Sequence, residues 1–162
     1  MNTLRARLES GGWPLLPLRL LIGYGFAAHG YAKLTRGPAN FAAILSALGV
    51  PLPTPIAWAT TLLELLGGVA LMLGAAVALL SVPLVIVMLT AILGVHLRYG
   101  FSSIRLKAIG PSGAEFGPVG YELNLLYIAG LVVLALSAAS PLSFDRWWAS
   151  KRRRRHLASA QM

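Results

Sequence analysis

Cysteine is absent from the 162 residues, which excludes disulfides, thiolate metal sites, iron–sulfur clusters and Cys-x-x-Cys redox chemistry within the chain. Acid is almost as scarce: five Asp and Glu stand against 14 Lys and Arg, and charged residues make up only 12% of the sequence. A water-soluble domain of this length needs polar helix faces that so little charge cannot supply. What is present instead is hydrocarbon, 57% of the residues being hydrophobic and the mean hydropathy +0.72. Four apolar runs, 13–34, 55–74, 77–97 and 119–139, approach the roughly 20 residues that cross a bilayer. The expected fold is all-α, an integral membrane four-helix bundle. Residues 1–146 would form a single transmembrane domain and 147–162 a basic tail.

The first run follows Arg5 and Arg7, as the apolar core of a secretory signal would. Its length, and the Arg19, His29 and Lys33 within it, argue for a retained helix. With four spans both termini share a side, and that side carries Arg5, Arg7, Arg146, Lys151 and Arg152 to Arg155. The opposite loops carry Lys33, Arg36, Arg98, Arg105 and Lys107, fewer and partly at helix ends, so both termini are expected to be cytoplasmic. The net charge of +9 follows from a basic stretch placed just past a membrane exit, where it meets anionic lipid, with Trp147 and Trp148 at the interface. No groove-reading or base-stacking element accompanies it, and nucleic acid is not an expected partner.

The connections differ in kind. Gly74 to Val77 leaves room only for a tight turn, so the second and third runs should form an antiparallel hairpin. Between the first and second runs, Phe41 to Leu48 has a helical pattern that suits the membrane interface and is stopped by Pro51, Pro53 and Pro55. Residues 98–118 are rich in Gly, Ser and Pro and read as an irregular cap.

Glu64 lies near the middle of an otherwise uncharged run, where an acid costs about 2.5–3.5 kcal/mol on insertion scales and calls for a partner or a function. Counting helix rise from each run's midpoint puts Arg19 about 7 Å toward the cytoplasm. On the other side it puts His29 about 8 Å, Glu122 about 10 Å, His96 about 13 Å and Lys33 about 14 Å outward. Arg19 is then the expected ion-pair partner of Glu64, with a hydrogen bond from His29 as the alternative. Gly67 and Gly68 on the same face allow a second helix to come close. Glu64 could equally serve as a proton-handling group.

The outer cluster of His29, Lys33, His96 and Glu122 invites chemistry. Two histidines on different helices could ligate a b-type haem, or join Glu122 on a divalent metal, but their unequal depths argue against both. A quinone head group asks only for a donor to each carbonyl, which His29, Lys33, Tyr121 or Asn124 could supply beside an apolar slot.

These residues carry a resemblance. Arg19, Gly23, Phe26, His29, Gly30 and Lys33 resemble the first-helix pattern of the DoxX family, and Glu64, Gly67, Gly68, Leu71 and Gly74 its second-helix pattern. Gly120, Tyr121, Glu122, Asn124, Leu125 and Leu126 are similar to the start of its last helix, and Ser143 and Asp145 to its close. The third run, with His96, matches no motif. The resemblance implies a four-helix bacterial inner-membrane protein similar to the membrane subunits of thiosulfate:quinone oxidoreductase, without a haem or metal motif. The expected function is an inner-membrane subunit of a redox or respiratory complex, working with other protein subunits, with a quinone or lipid-head-group site in the outer third of the bilayer. A non-catalytic assembly subunit is the alternative, and a small-solute or proton carrier the second. The carrier reading lacks the inverted repeat and broken helices common in transporters.

Overall fold

The structure, a computed structural model, describes residues 12–111, 113–137 and 140–159, with side chains as far as Arg152. Arg5, Arg7 and the last three residues therefore lie outside the described residues, as do the side chains of Arg153 to His156.

Helix α1 spans Leu15–Arg36, and its two prolines, Pro14 and Pro17, fall at the start, where missing N–H donors break no helical bond. Gly37, at φ 90, stops it, and Pro38 starts the short α2, Pro38–Ala47, a helix where the pattern around Phe41 led one to be expected. Helix α3, Pro53–Leu73, ends on Gly74 at φ 67, whose N–H and that of Ala75 donate to Leu71 O and Ala70 O. That left-handed cap turns the chain within three residues into α4, Val77–Ala91, as the short spacing required. Helix α4 runs on through a wider π-helical turn, Ile92–His96, and a tighter one, Leu97–Tyr99. Helix α5 covers Glu122–Leu136, and α6, Phe144–Ser159, carries the basic residues.

One expectation needs correction. The fold is mostly but not wholly helical, because 106–116 is not irregular: β1, Leu106–Gly110, pairs antiparallel with β2, Gly113–Phe116. Pro111 and Gly113, at φ 113, make the turn, and strands of five and four residues are too short for alternation to stand out. By length and composition alone two helices, Pro53–Leu73 and Val77–Tyr99, are long and apolar enough to cross a membrane. Helix α5 is shorter than its run because the backbone turns extended at Ser137, so its 15 residues reach about 22 Å of the roughly 30 Å core. Helix α1 is long enough but is diluted by Arg19, His29, Lys33 and Arg36.

The buried faces explain the packing. Arg19, Ile22, Gly23, Phe26 and Gly30 line one side of α1, and Ala57, Thr61, Glu64, Gly67, Gly68 and Leu71 one side of α3. These faces meet antiparallel and close: a Cβ on Gly23 would lie 2.7 Å from the Gly68 carbonyl oxygen. Gly23 faces Met72, Gly68 faces Ala27, and Gly30 faces Leu65. Leu84 of α4 and Leu131 and Leu134 of α5 close the core over Ile22, Phe26 and Leu71. Tyr127 of α5 sets its ring edge-on to Phe26, centroids 5.3 Å apart. Most other large apolar side chains of these helices, such as Leu21, Leu66, Leu79 and Leu93, point outward. For a soluble protein that distribution would be ruinous; for one in lipid it is the expected surface.

Candidate functional site

Glu64 is 2% exposed and its partner is Lys33, whose ammonium binds Glu64 Oε2 in a salt bridge. Lys33 is itself 24% exposed and sits over the Phe41 ring of α2, 4.7 Å from its centroid. One cation thus joins three helices. The carboxylate supplies the charge, the ring a quadrupole, and the lysine stem covers the gap between them.

The expected Arg19–Glu64 pair is not formed, and the register of α1 on α3, reinforced by side-chain direction, is the reason. A helical Cα–Cβ bond tilts toward the helix N-terminus, so on antiparallel α1 and α3 Lys33 and Glu64 lean toward each other, while Arg19 leans away. The register of Gly30 against Leu65 puts Lys33 within reach of Glu64 and leaves Arg19 beside Gly74. The count of depth from each run's midpoint misplaced the two: Glu64 lies ten residues before Gly74, about 15 Å along α3 and beyond the reach of Arg19.

Arg19 instead is buried at the opposite end, at 2% exposure. Its Nη1 donates to Ser140 Oγ and its Nη2 to the Leu142 carbonyl at 3.0 Å. Asp145 lies alongside, its two carboxylate oxygens accepting the N–H groups of Ala76 at 2.9 Å and Val77 at 3.1 Å, which caps α4. Gly74 makes this possible, because a Cβ there would run into Arg19 and Ser143. Ser140 and Asp145 were not singled out as partners of Arg19. The signal that could have found them is the pair of Ser and Asp residues just before α6, a capping composition next to a helix start.

The outer residues do not act together. His96 Nδ1 bonds the Val119 carbonyl at 2.9 Å, and Glu122 Oε2 accepts the Ser103 N–H at 2.9 Å. The carbonyls of Gly100, Phe101 and Ser102 take the N–H groups of Tyr121, Glu122 and Gly120, and Tyr121 meets Phe101 edge-to-face at 5.7 Å. These contacts bind the connection 100–103 to the start of α5, so His96, Tyr121 and Glu122 hold a loop. Asn124 turns inward to Met88 Sδ at 3.6 Å. His29 alone keeps an open aspect, exposed on α1 one turn before Lys33. Among the described residues no group of His, Asp and Glu is arranged to hold a metal ion.

The accessible polar surface therefore narrows to His29 and Lys33 on α1, backed by buried Glu64 and roofed by Phe41. An exposed imidazole can donate or accept, and the ammonium has protons beyond the one directed to Glu64. Such a pair can meet a carbonyl or phosphoryl oxygen arriving from the lipid side of α1.

Comparison with known proteins is limited to one finding. The model of the family described as DoxX matches residues 14–97, a little over half of the chain, from the start of α1 to the end of the π-helical turn. No curated protein matches, and no solved structure does.

Proposed function

Because the chain belongs to the DoxX family of membrane proteins, we propose that it is a multi-pass inner-membrane subunit of a redox-linked complex, with both termini cytoplasmic. In this reading α1, α3, α4 and α5 all cross, α1 tolerating its charges because Lys33 is paired with Glu64 and Arg19 is hydrogen-bonded to Ser140 and Leu142, and α5 its shortness because the bilayer adapts to it. The subunit offers a quinone a docking surface at His29 and Lys33, close to the outer interface, with Glu64 fixing the lysine. Support comes from one observation above all: Lys33 keeps part of its side chain exposed beside open His29 while Glu64 and Phe41 hold its ammonium. A head-group carbonyl would take a hydrogen bond from each residue, and the apolar surface of α1 would carry the tail.

The test is quinone reduction by the assembled complex. Replacing His29 with Ala removes one hydrogen bond, and on the order of a tenfold rise in the quinone KM is expected, with assembly unchanged. Unchanged kinetics, together with no quinone extracted from the purified protein, would place the site elsewhere.

A second reading is favoured by the closed Lys33–Glu64–Phe41 contact itself: a subunit with no substrate, whose polar residues serve packing and assembly. It expects His29→Ala to leave turnover per complex at the wild-type value and Glu64→Gln to lower only the yield of complex.

A further inference from the structure

A second polar site lies at the other end of α1. Arg19 and Lys33 are 14 residues apart, about 21 Å along the helix, so this site is separate from the docking surface above. Here the ends of α1, α4 and α5, the segment before α6 and its first turn enclose a small open cavity of about 90 Å³. Leu15, Val77, Leu134 and Ala135 form its apolar wall, and Arg19, Ser140, Ser143 and Asp145 its polar one. Arg19 is almost fully buried, yet its Nε–H has no hydrogen-bond partner among the described residues. A buried donor left unsatisfied costs about 1–3 kcal/mol, more for a charged group, so a ligand that accepts this bond is favoured.

The neighbouring groups specify the acceptor. Ser140 Oγ accepts from Arg19, and Ser143 Oγ accepts the Arg146 N–H at 3.2 Å, so each hydroxyl still has its own proton to donate. Asp145, the one acid on the wall, has both oxygens engaged by the first N–H groups of α4, where the helix dipole favours negative charge. A guanidinium N–H and two hydroxyl donors converging on one space suit a multi-oxygen anion. The apolar wall continues into the lipid-facing surface of α4 and α5. Just beyond in sequence, Trp147 and Trp148 meet at a tilt, ring centroids 6.2 Å apart, and carry Lys151 and Arg152 over their rings at 4.9 and 5.8 Å.

We propose that this cavity binds a phosphate oxyanion through Arg19, Ser140 and Ser143, carried by the head group of a membrane phospholipid whose acyl chains lie along α4 and α5.

The purified full chain in detergent can be given dioleoyl phosphatidylglycerol, dioleoylglycerol or inorganic phosphate, with native mass spectra and thermal midpoints as readouts. The phospholipid should add as a single retained adduct and raise the midpoint, whereas dioleoylglycerol should do neither. Ala135→Leu fills the cavity without touching the bonds of Arg19 and should remove the adduct; if that variant does not fold, Ala78→Leu fills the same space from α4. Arg19→Lys keeps the charge but loses the Nε–H and should weaken the adduct at least about tenfold. A midpoint shift with inorganic phosphate alone, lost in the filled variant, would support the oxyanion site and assign it to free phosphate. Equal adducts in wild type and the filled variant, or equal effects of dioleoylglycerol, would overturn the proposal.

Discussion

At the scale of single residues the decisive contact is Lys33 with Glu64. Removing one member of a buried ion pair leaves the other charge in a medium that cannot solvate it, at a cost of about 3–5 kcal/mol. Lys33→Met should therefore lower the unfolding free energy in detergent by that order, and adding Glu64→Gln to it should restore most of the loss. A double variant as unstable as Lys33→Met alone would mean that lysine packing on Phe41, and not charge, carries the contact. The presence of a buried acid in α3 was legible from its apolar flanks. The partner was not, since counting depth from each run's midpoint put Arg19 nearer than Lys33, and only the register of α1 on α3 sets Lys33 near Glu64 and Arg19 beside Gly74.

At the scale of elements, α1 and α3 touch through backbone, and the α5 start is tied to the preceding loop. Gly68→Leu should force the two helices apart, because even a Cβ there would collide with the backbone of Ala27, and a loss of at least about 1–3 kcal/mol is expected from overpacking. Glycines spaced along two runs announced that closeness in advance. The loop at α5 was less legible: Glu122 looked like a member of an outer polar site, and its carboxylate instead accepts the Ser103 N–H of the preceding loop. Glu122→Ala should cost about 1.5–3 kcal/mol, as a lost hydrogen bond to a charged group does, and speed proteolysis between Ser103 and Phe116 while leaving quinone kinetics unaltered. A kinetic defect with the loop still protected would return Glu122 to the site.

At the scale of the whole molecule, the absence of cysteine becomes an experimental advantage, since single cysteines can be introduced without background. A cysteine at Ile109, exposed on the β-hairpin, should react with a membrane-impermeant maleimide in intact spheroplasts, and one at Ser150, exposed on α6, only after permeabilisation. The reverse pattern would invert the topology and place the His29–Lys33 surface on the cytoplasmic side. The same experiment bears on α5, which lies between the two positions and must cross if they are on opposite sides.

Sequence by itself determined the solvent and the main elements of this protein: too little charge for water, apolar runs with proline and glycine at their ends, and a carboxylate that had to be answered. Those are local properties, set by hydration of side chains and by the dihedral limits of Pro and Gly. Only the tertiary structure decided which cation answers Glu64, that His96 and Glu122 serve a loop, and that Arg19 faces a cavity beneath the α3–α4 turn. Those outcomes depend on the antiparallel register of α1 against α3 and on the return of the chain before α6, which bring together residues more than a hundred positions apart. No period or motif encodes that approach; it results from packing the glycine-lined faces as closely as backbone allows.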